Sequence, residues 1–334
     1  MAVSASPSDW SWRRRFSALT VATTVLLISW GGFVTSINAG MAFPDWPTSL
    51  GSYNWFNPVD AWWTITPYLA EHGHRLIASL VGALTVILAV WTWRADPRSW
   101  MHTLGWGALA LVIAQGVLGG LRVLWVSLNL AMVHACVAQV FFALLVAMTL
   151  FTTKTWRAER DLLPDSDTAT RLRRLCYAAT GLIYVQIVLG ALLRHPGGGL
   201  DMVFASIHVT GAFAVVGLVV SVFVIAQKHF AHNRTVQWAA GSLLGAVGLQ
   251  FALGLAAFVL MLYEAPQGIR SVLQIGLTVG HLVVGALLFG SSVIATLLVA
   301  RTPDDAPDDA PIIDTPIRRE RPSPNPVPAG HHQA

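Results

Sequence analysis

Four histidines carry the chemistry available to this chain of 334 residues. His74, His134, His208 and His281 each fall near one end of a long apolar stretch, and each follows an earlier apolar stretch whose end is rich in glycine. Ionisable side chains within a bilayer are costly and mark function. A neutral imidazole there can hydrogen-bond across helices, or it can give a ring nitrogen to a metal. Two imidazoles on facing helices of a bundle can hold an iron porphyrin from both sides. In chain order the four form two pairs, His74 with His134 and His208 with His281. Zinc is the rival metal, but zinc catalysis wants three protein ligands around one ion, and the spacing implies two separated pairs. For any one histidine the hydrogen-bonding alternative stands. Four at equivalent places favour ligation.

Arginines lie at the same ends of these stretches: Arg75, Arg122, Arg194 and Arg270. Haem carries two propionates, and a guanidinium binds carboxylate through paired hydrogen bonds. Two arginines per half are therefore candidate propionate partners, with ordinary interfacial arginines as the plainer alternative. Glu71 stands three residues before His74 and four before Arg75, which puts all three on one helical face. A carboxylate one turn from a haem ligand is a candidate for handling protons or stabilising positive charge; a structural Glu71–Arg75 pair is the alternative. No acidic residue lies so near His208 or His281 in sequence. The asymmetry implies that the N-terminal half does chemistry and the C-terminal half holds a permanent haem. His72, His102, His195, His229, His232, His331 and His332 receive no role. Cys136 and Cys176 lie far apart, without metal-type or disulfide-type spacing, and read as apolar thiols.

The elements that must position these groups follow from composition. The chain is 54% hydrophobic and only 11% charged, against about 25% charged in an average soluble domain. A spanning helix needs about 20 apolar residues, and stretches free of Asp, Glu, Lys and Arg run Ser17–Ile37, Leu76–Trp93, Thr103–Leu121, Val123–Thr153, Leu175–Leu193, Met202–Gln227, Thr235–Tyr263 and Ser271–Ala300. The expected fold is all-α and integral to the membrane, with eight transmembrane helices as two pseudo-symmetric four-helix bundles. Of the 21 basic residues, all but Arg75, Arg122, Arg194 and Arg270 fall on the side that holds both termini. By the positive-inside rule that side is cytoplasmic, so the expected location is the cell (inner) membrane. The scattered basic residues form no single patch and point to no nucleic acid. The Arg13–Arg15 stretch ahead of the first apolar run faintly echoes a twin-arginine signal. That run is longer than the core of a signal peptide, so a retained helix is expected.

An internal repeat organises the halves. Gln115-Gly-Val-Leu-Gly-Gly-Leu-Arg122 is echoed by Gln186-Ile-Val-Leu-Gly-Ala-Leu-Leu-Arg194 and, more weakly, by Gln250-Phe-Ala-Leu-Gly-Leu; Gly31-Gly-Phe-Val-Thr35 precedes His74 in the same way. The unit is a helical hairpin with one histidine, used four times. Residues 1–16 form a cytoplasmic segment, 17–153 the N-terminal half, 154–174 a basic linker, 175–300 the C-terminal half, and 301–334 a Pro- and Asp-rich tail expected to be disordered. Gly241 with Gly245, and Gly276 with Gly280, have the small-xxx-small spacing of close helix crossings.

Glu71-His-Gly-His-Arg75 resembles the E-x-x-H-R motif of the haem A synthase family. Gly31-Gly-Phe-Val-Thr and Asn38-Ala-Gly-Met-Ala-Phe-Pro-Asp-Trp-Pro47 are similar to that family's first helix end and first outer loop. With the four histidines, the resemblance covers roughly residues 17–300. It implies an oxidoreductase that converts a ring methyl of haem O to a formyl group, giving haem A for terminal oxidase assembly, through successive hydroxylations with an outside electron supply. It implies that His74 and His134 embrace the substrate haem, that Glu71 assists the oxidation, and that His208 and His281 ligate haem b. Implied partners are haem O, an electron donor, the prenyltransferase that makes haem O, membrane lipid, and a second copy of the chain. Many members of the family carry a cysteine pair in the first outer loop; Phe43 and Ser49 occupy the corresponding positions here, so a loop-thiol step is not open to this chain.

Two other classes account for four histidines: a bis-histidine b-type cytochrome for electron transfer, which gives Glu71 no task, and a haem transporter or chaperone. A prenyltransferase making haem O would show Asp-rich diphosphate motifs in helix-linking loops. The stretches Asp165–Asp167 and Asp304–Asp309 instead fall in a linker and the tail.

Overall fold

The computed structural model describes residues 7–59, 62–157, 162–194, 202–263 and 270–301. The tail from residue 302, with His331 and His332, and the outer-loop His195 lie outside the described residues. Nine helices run in chain order: α1 Pro7–Ser36, α2 Thr66–Ala95, α3 Ser99–Leu124, α4 Leu128–Phe151, the single turn α5 Lys154–Arg157, α6 Asp167–Arg194, α7 Met202–His229, α8 Arg234–Tyr263 and α9 Val272–Ala300. No strand occurs among the described residues. Eight of the nine are long and apolar enough to cross a membrane, and the chain is a multi-pass membrane protein.

Most of these helices outrun the charge-free stretches, because a helix continues past the hydrocarbon while its terminal Arg side chains reach for the interface. α2 starts ten residues ahead of Leu76 on Pro67 and so carries Glu71, His74 and Arg75 on one rod. α6 starts at Asp167, within the expected linker, and α5 adds a further turn to it. Val123 lies in the last turn of α3 rather than opening the next span. The turn that follows puts Val126 at φ 48°, and Ser127 caps α4 by accepting from the Leu130 amide.

The packing follows one cyclic order twice: α1 on α2, α2 on α3, α3 on α4 and α4 back on α1, then α6 through α9 in the same way. α9 is the most buried span and also packs on α1 and α4. Its small residues allow this. Gly290 receives Phe142 of α4, and Gly32 of α1 receives Leu282 of α9; a Cβ would stand 3.1 and 2.7 Å from those side chains. Gly241, Gly245 and Gly276, expected at close crossings, face open space, and Gly280 is only touched by Leu253 at 3.9 Å.

At the basic end, Asp96 follows α2 and is buried between Arg13 of α1 and Arg98, each 2.8 Å from Oδ2. His102 donates to the Asp96 carbonyl and Arg98 to the Phe151 carbonyl. One carboxylate thus ties α1, the α2–α3 turn and the end of α4 together.

Candidate functional site

Each of the four histidines rests on a glycine of the helix before it. A Cβ on Gly31 of α1 would stand 3.0 Å from Cε1 of His74; on Gly119 of α3, 3.4 Å from His134; on Gly190 of α6, 3.5 Å from His208; and on Gly254 of α8, 2.7 Å from His281. Any larger residue would fill the space under the ring. The glycine-rich helix ends of the repeat are therefore seats for imidazoles.

In the C-terminal half the two seated rings meet. His208 and His281 have centroids 6.3 Å apart and planes at 79°. Two imidazoles sharing one metal at about 2 Å per bond put their centroids about 6 Å apart, so the donor set fits a shared iron. Nδ1 of His281 donates to the Gln250 carbonyl at 3.2 Å, the arrangement that leaves Nε2 for a metal. Nδ1 of His74, His134 and His208 is buried and closes no hydrogen bond among the described residues. Of the four rings, His281 is the one whose Nδ1 is fixed by a main-chain carbonyl among the described residues. In the N-terminal half His74 and His134 lie within electrostatic reach of each other and of Arg122. No group of three or more His, Cys, Asp or Glu side chains converges among the described residues.

The loop between α1 and α2 folds over the N-terminal half. Trp46 lies on Gly120 of α3, and the Arg122 guanidinium donates to the Gly40 carbonyl at 2.8 Å. Arg75 donates to the carbonyls of Asp45 at 3.0 Å and Thr48 at 2.9 Å, and pairs with Glu71 at 2.8 Å. The other Glu71 oxygen accepts the Phe43 amide at 2.9 Å. Both oxygens of this buried carboxylate are thus engaged, one by its own helix and one by the loop. Phe43 is wholly buried, with its ring 4.9 Å from that of Tyr68 and 5.2 Å from the Arg75 guanidinium. Ser49 is buried and bridges to Ser52. Packing and hydrogen bonds thus hold the loop at both Phe43 and Ser49. His72, given no role from sequence, is buried and donates to the Trp55 carbonyl; it anchors the loop's far end.

The two remaining arginines differ. Arg194 reaches out of its own half, donating to the Gly32 carbonyl and the Ser36 hydroxyl of α1. Arg270 lies in the loop before α9, within electrostatic reach of Arg194. Sequence reasoning missed the side chains of Gln186 and Gln250, which cross onto Gly211 and Gly285 of the following helices. Their signal was present in the repeat itself, a Gln four residues before three of the four seat glycines.

Fold and site together define a multi-pass helical membrane protein in which half-buried imidazoles sit on glycine seats at one end of the bundle. The COX15-CtaA family model, described as cytochrome oxidase assembly protein, matches residues 14–213, and the chain belongs to that family. It is similar to proteins named heme A synthase. The one from Symbiobacterium thermophilum is 30% identical over 192 residues, 56% of this chain and 60% of the relative. That from Lysinibacillus sphaericus is 32% identical over 193 residues, 55% of this chain and 58% of the relative. For Alkalihalophilus pseudofirmus the identity is 23% over 310 residues, 86% of this chain and 97% of the relative. The first two matches thus span about three fifths of those relatives' length.

Proposed function

We propose that this protein is a haem A synthase, oxidising a ring methyl of haem O through the hydroxymethyl to the formyl group for cytochrome oxidase assembly. The observation that carries the reading is the seated pair His208–His281, at the separation one shared iron requires, within a family whose similar relatives bear that name. His208 and His281 would hold haem b, which supplies one-electron transfer when bound. His74 and His134 would hold the substrate haem O beneath the first outer loop.

Glu71 serves the oxidation by position. It fixes the loop through the Phe43 amide and keeps a negative charge beside Arg75 and within reach of Arg122, where positive charge develops at the substrate. Arg75 and Arg122 have their donors on loop carbonyls, so substrate propionates would exchange with main-chain oxygens there. Arg194 and Arg270 would serve the propionates of haem b. The loop closes the site against water and bulk reductant. Electrons then enter from a separate donor, and the substrate comes from prenyl transfer to haem. The crowding of basic residues at one end of the helices supports a cytoplasmic side for both termini and the outer side of the cell membrane for both histidine pairs.

The test is chromatography of haems extracted from cells that make haem O, with and without this protein. Haem A or its hydroxymethyl precursor appearing only with the protein is the expected result. Unchanged haem O, with purified protein showing a bis-histidine b-type spectrum, would make it an electron carrier.

A further inference from the structure

His281 is held at both ring nitrogens by one residue. Its Nδ1 faces the Gln250 main-chain carbonyl at 3.2 Å. A carbonyl only accepts, so Nδ1 carries the proton and Nε2 presents a lone pair. The side-chain amide nitrogen of Gln250 stands 3.3 Å from Nε2 and donates to it. The amide reaches that place because Gly285, one turn beyond His281, has no Cβ; one there would stand 2.9 Å from the amide nitrogen. The amide oxygen Oε1 is buried and has no hydrogen-bond partner among the described residues. Buried polar atoms are normally satisfied, so this orientation of the amide is set by the imidazole and by nothing else in reach. The equivalent Gln186 lies on Gly211, three residues after His208, and its Oε1 is likewise buried without a partner.

Resting on the reading that His281 ligates haem iron, we propose that Gln250 is a positioning residue that caps the ligating nitrogen before iron binds and releases it on binding. The main-chain carbonyl keeps the ring aimed throughout. One N–H···N hydrogen bond is exchanged for one Fe–N bond, and no proton leaves the ring, because Nε2 is already unprotonated. The amide, freed, turns away along the Gly285 groove. The device makes the imidazole ready to ligate while setting a barrier against casual occupants of the site.

The test uses the full-length protein from haem-deficient cells, carrying His74→Ala and His134→Ala so that uptake is confined to His208 and His281. Haemin is mixed with it and the Soret band followed; release is measured by transfer to apomyoglobin. Gln250→Leu removes the donor and offers no group that could itself ligate iron. It should take up haemin about fivefold faster, the weight of one ordinary net hydrogen bond, with an unchanged release rate. Gln250→Ala should change in the same direction. A merely structural role predicts the opposite, slower uptake and faster release. Gln250→Leu with the parent's uptake rate, or with faster release, would overturn the proposal. A parent protein that forms no low-spin bis-imidazole complex would remove the haem-binding reading and the proposal with it, and that outcome shows in the parent spectrum alone.

Discussion

A carboxylate with both oxygens engaged is an unusual candidate for proton handling, and Glu71 is such a carboxylate. Its bond to the Phe43 amide and its pair with Arg75 make it the pin on which the first outer loop turns. Glu71→Ala should therefore leave haem bound while halting the product at haem O or its hydroxymethyl form. It should also open residues 40–52 to added protease. Glu71→Gln retains an acceptor for the Phe43 amide, so its loop should stay protected while its product yield still falls. Full haem A production by Glu71→Ala, scored by extraction, would take Glu71 out of the reaction. His72, two residues from His74, shows how neighbouring histidines part company: it points to the loop carbonyl of Trp55, whereas His74 points to a glycine seat.

Among the elements, α1 to α4 are joined at their basic end by the buried Asp96. Burial alone raises its pKa, but the hydrogen bonds and charge of Arg98, with the charge of Arg13, outweigh this and hold the carboxyl below the usual aspartate range. A depressed native pKa stabilises the fold fully above the ordinary value of about 3.9. That stability is lost as pH falls through the native value. Thermal unfolding in detergent should thus be flat in this respect from neutral pH to about 4 and fall below it. Asp96→Ala takes the carboxylate from two guanidinium groups and should cost about 3–5 kcal/mol, the usual cost of breaking a buried pair. It should also flatten the acid limb. An Asp96→Ala variant as stable as its parent would show the cluster to be dispensable.

For the molecule as a whole, most basic residues sit at the end of the helices opposite the histidine sites, with Arg75, Arg122 and Arg194 at the histidine end. Reporter fusions check the orientation. A periplasm-active phosphatase should work when joined within the first outer loop, after Ser52, and fail when joined after Arg301, where a fluorescent protein should instead mature. The opposite pattern would place the histidine pairs on the cytoplasmic side. Arg194 also makes the halves interdependent, since it ties α6 to the Gly32 carbonyl and Ser36 of α1 beside the Gly31 seat of His74.

The helix count, the multi-pass class and the repeated hairpin could all be read from the sequence, because hydrocarbon thickness and backbone satisfaction leave a long apolar chain few other choices. So could the histidine of each hairpin, as a costly polar group at a recurring position. What the tertiary structure alone decided lies between segments distant in the chain. Three of the four glycines expected at helix crossings face open space, while others meet neighbouring helices or lie under imidazoles, because small-xxx-small spacing does not say which face meets a neighbour. Glu71, Arg75 and Arg122 turned out to grip the loop, Arg194 to grip α1, and Gln250 to hold both nitrogens of His281. Residue type and spacing set what each group can bond, but which partner lies within 3 Å depends on how the hairpins pack.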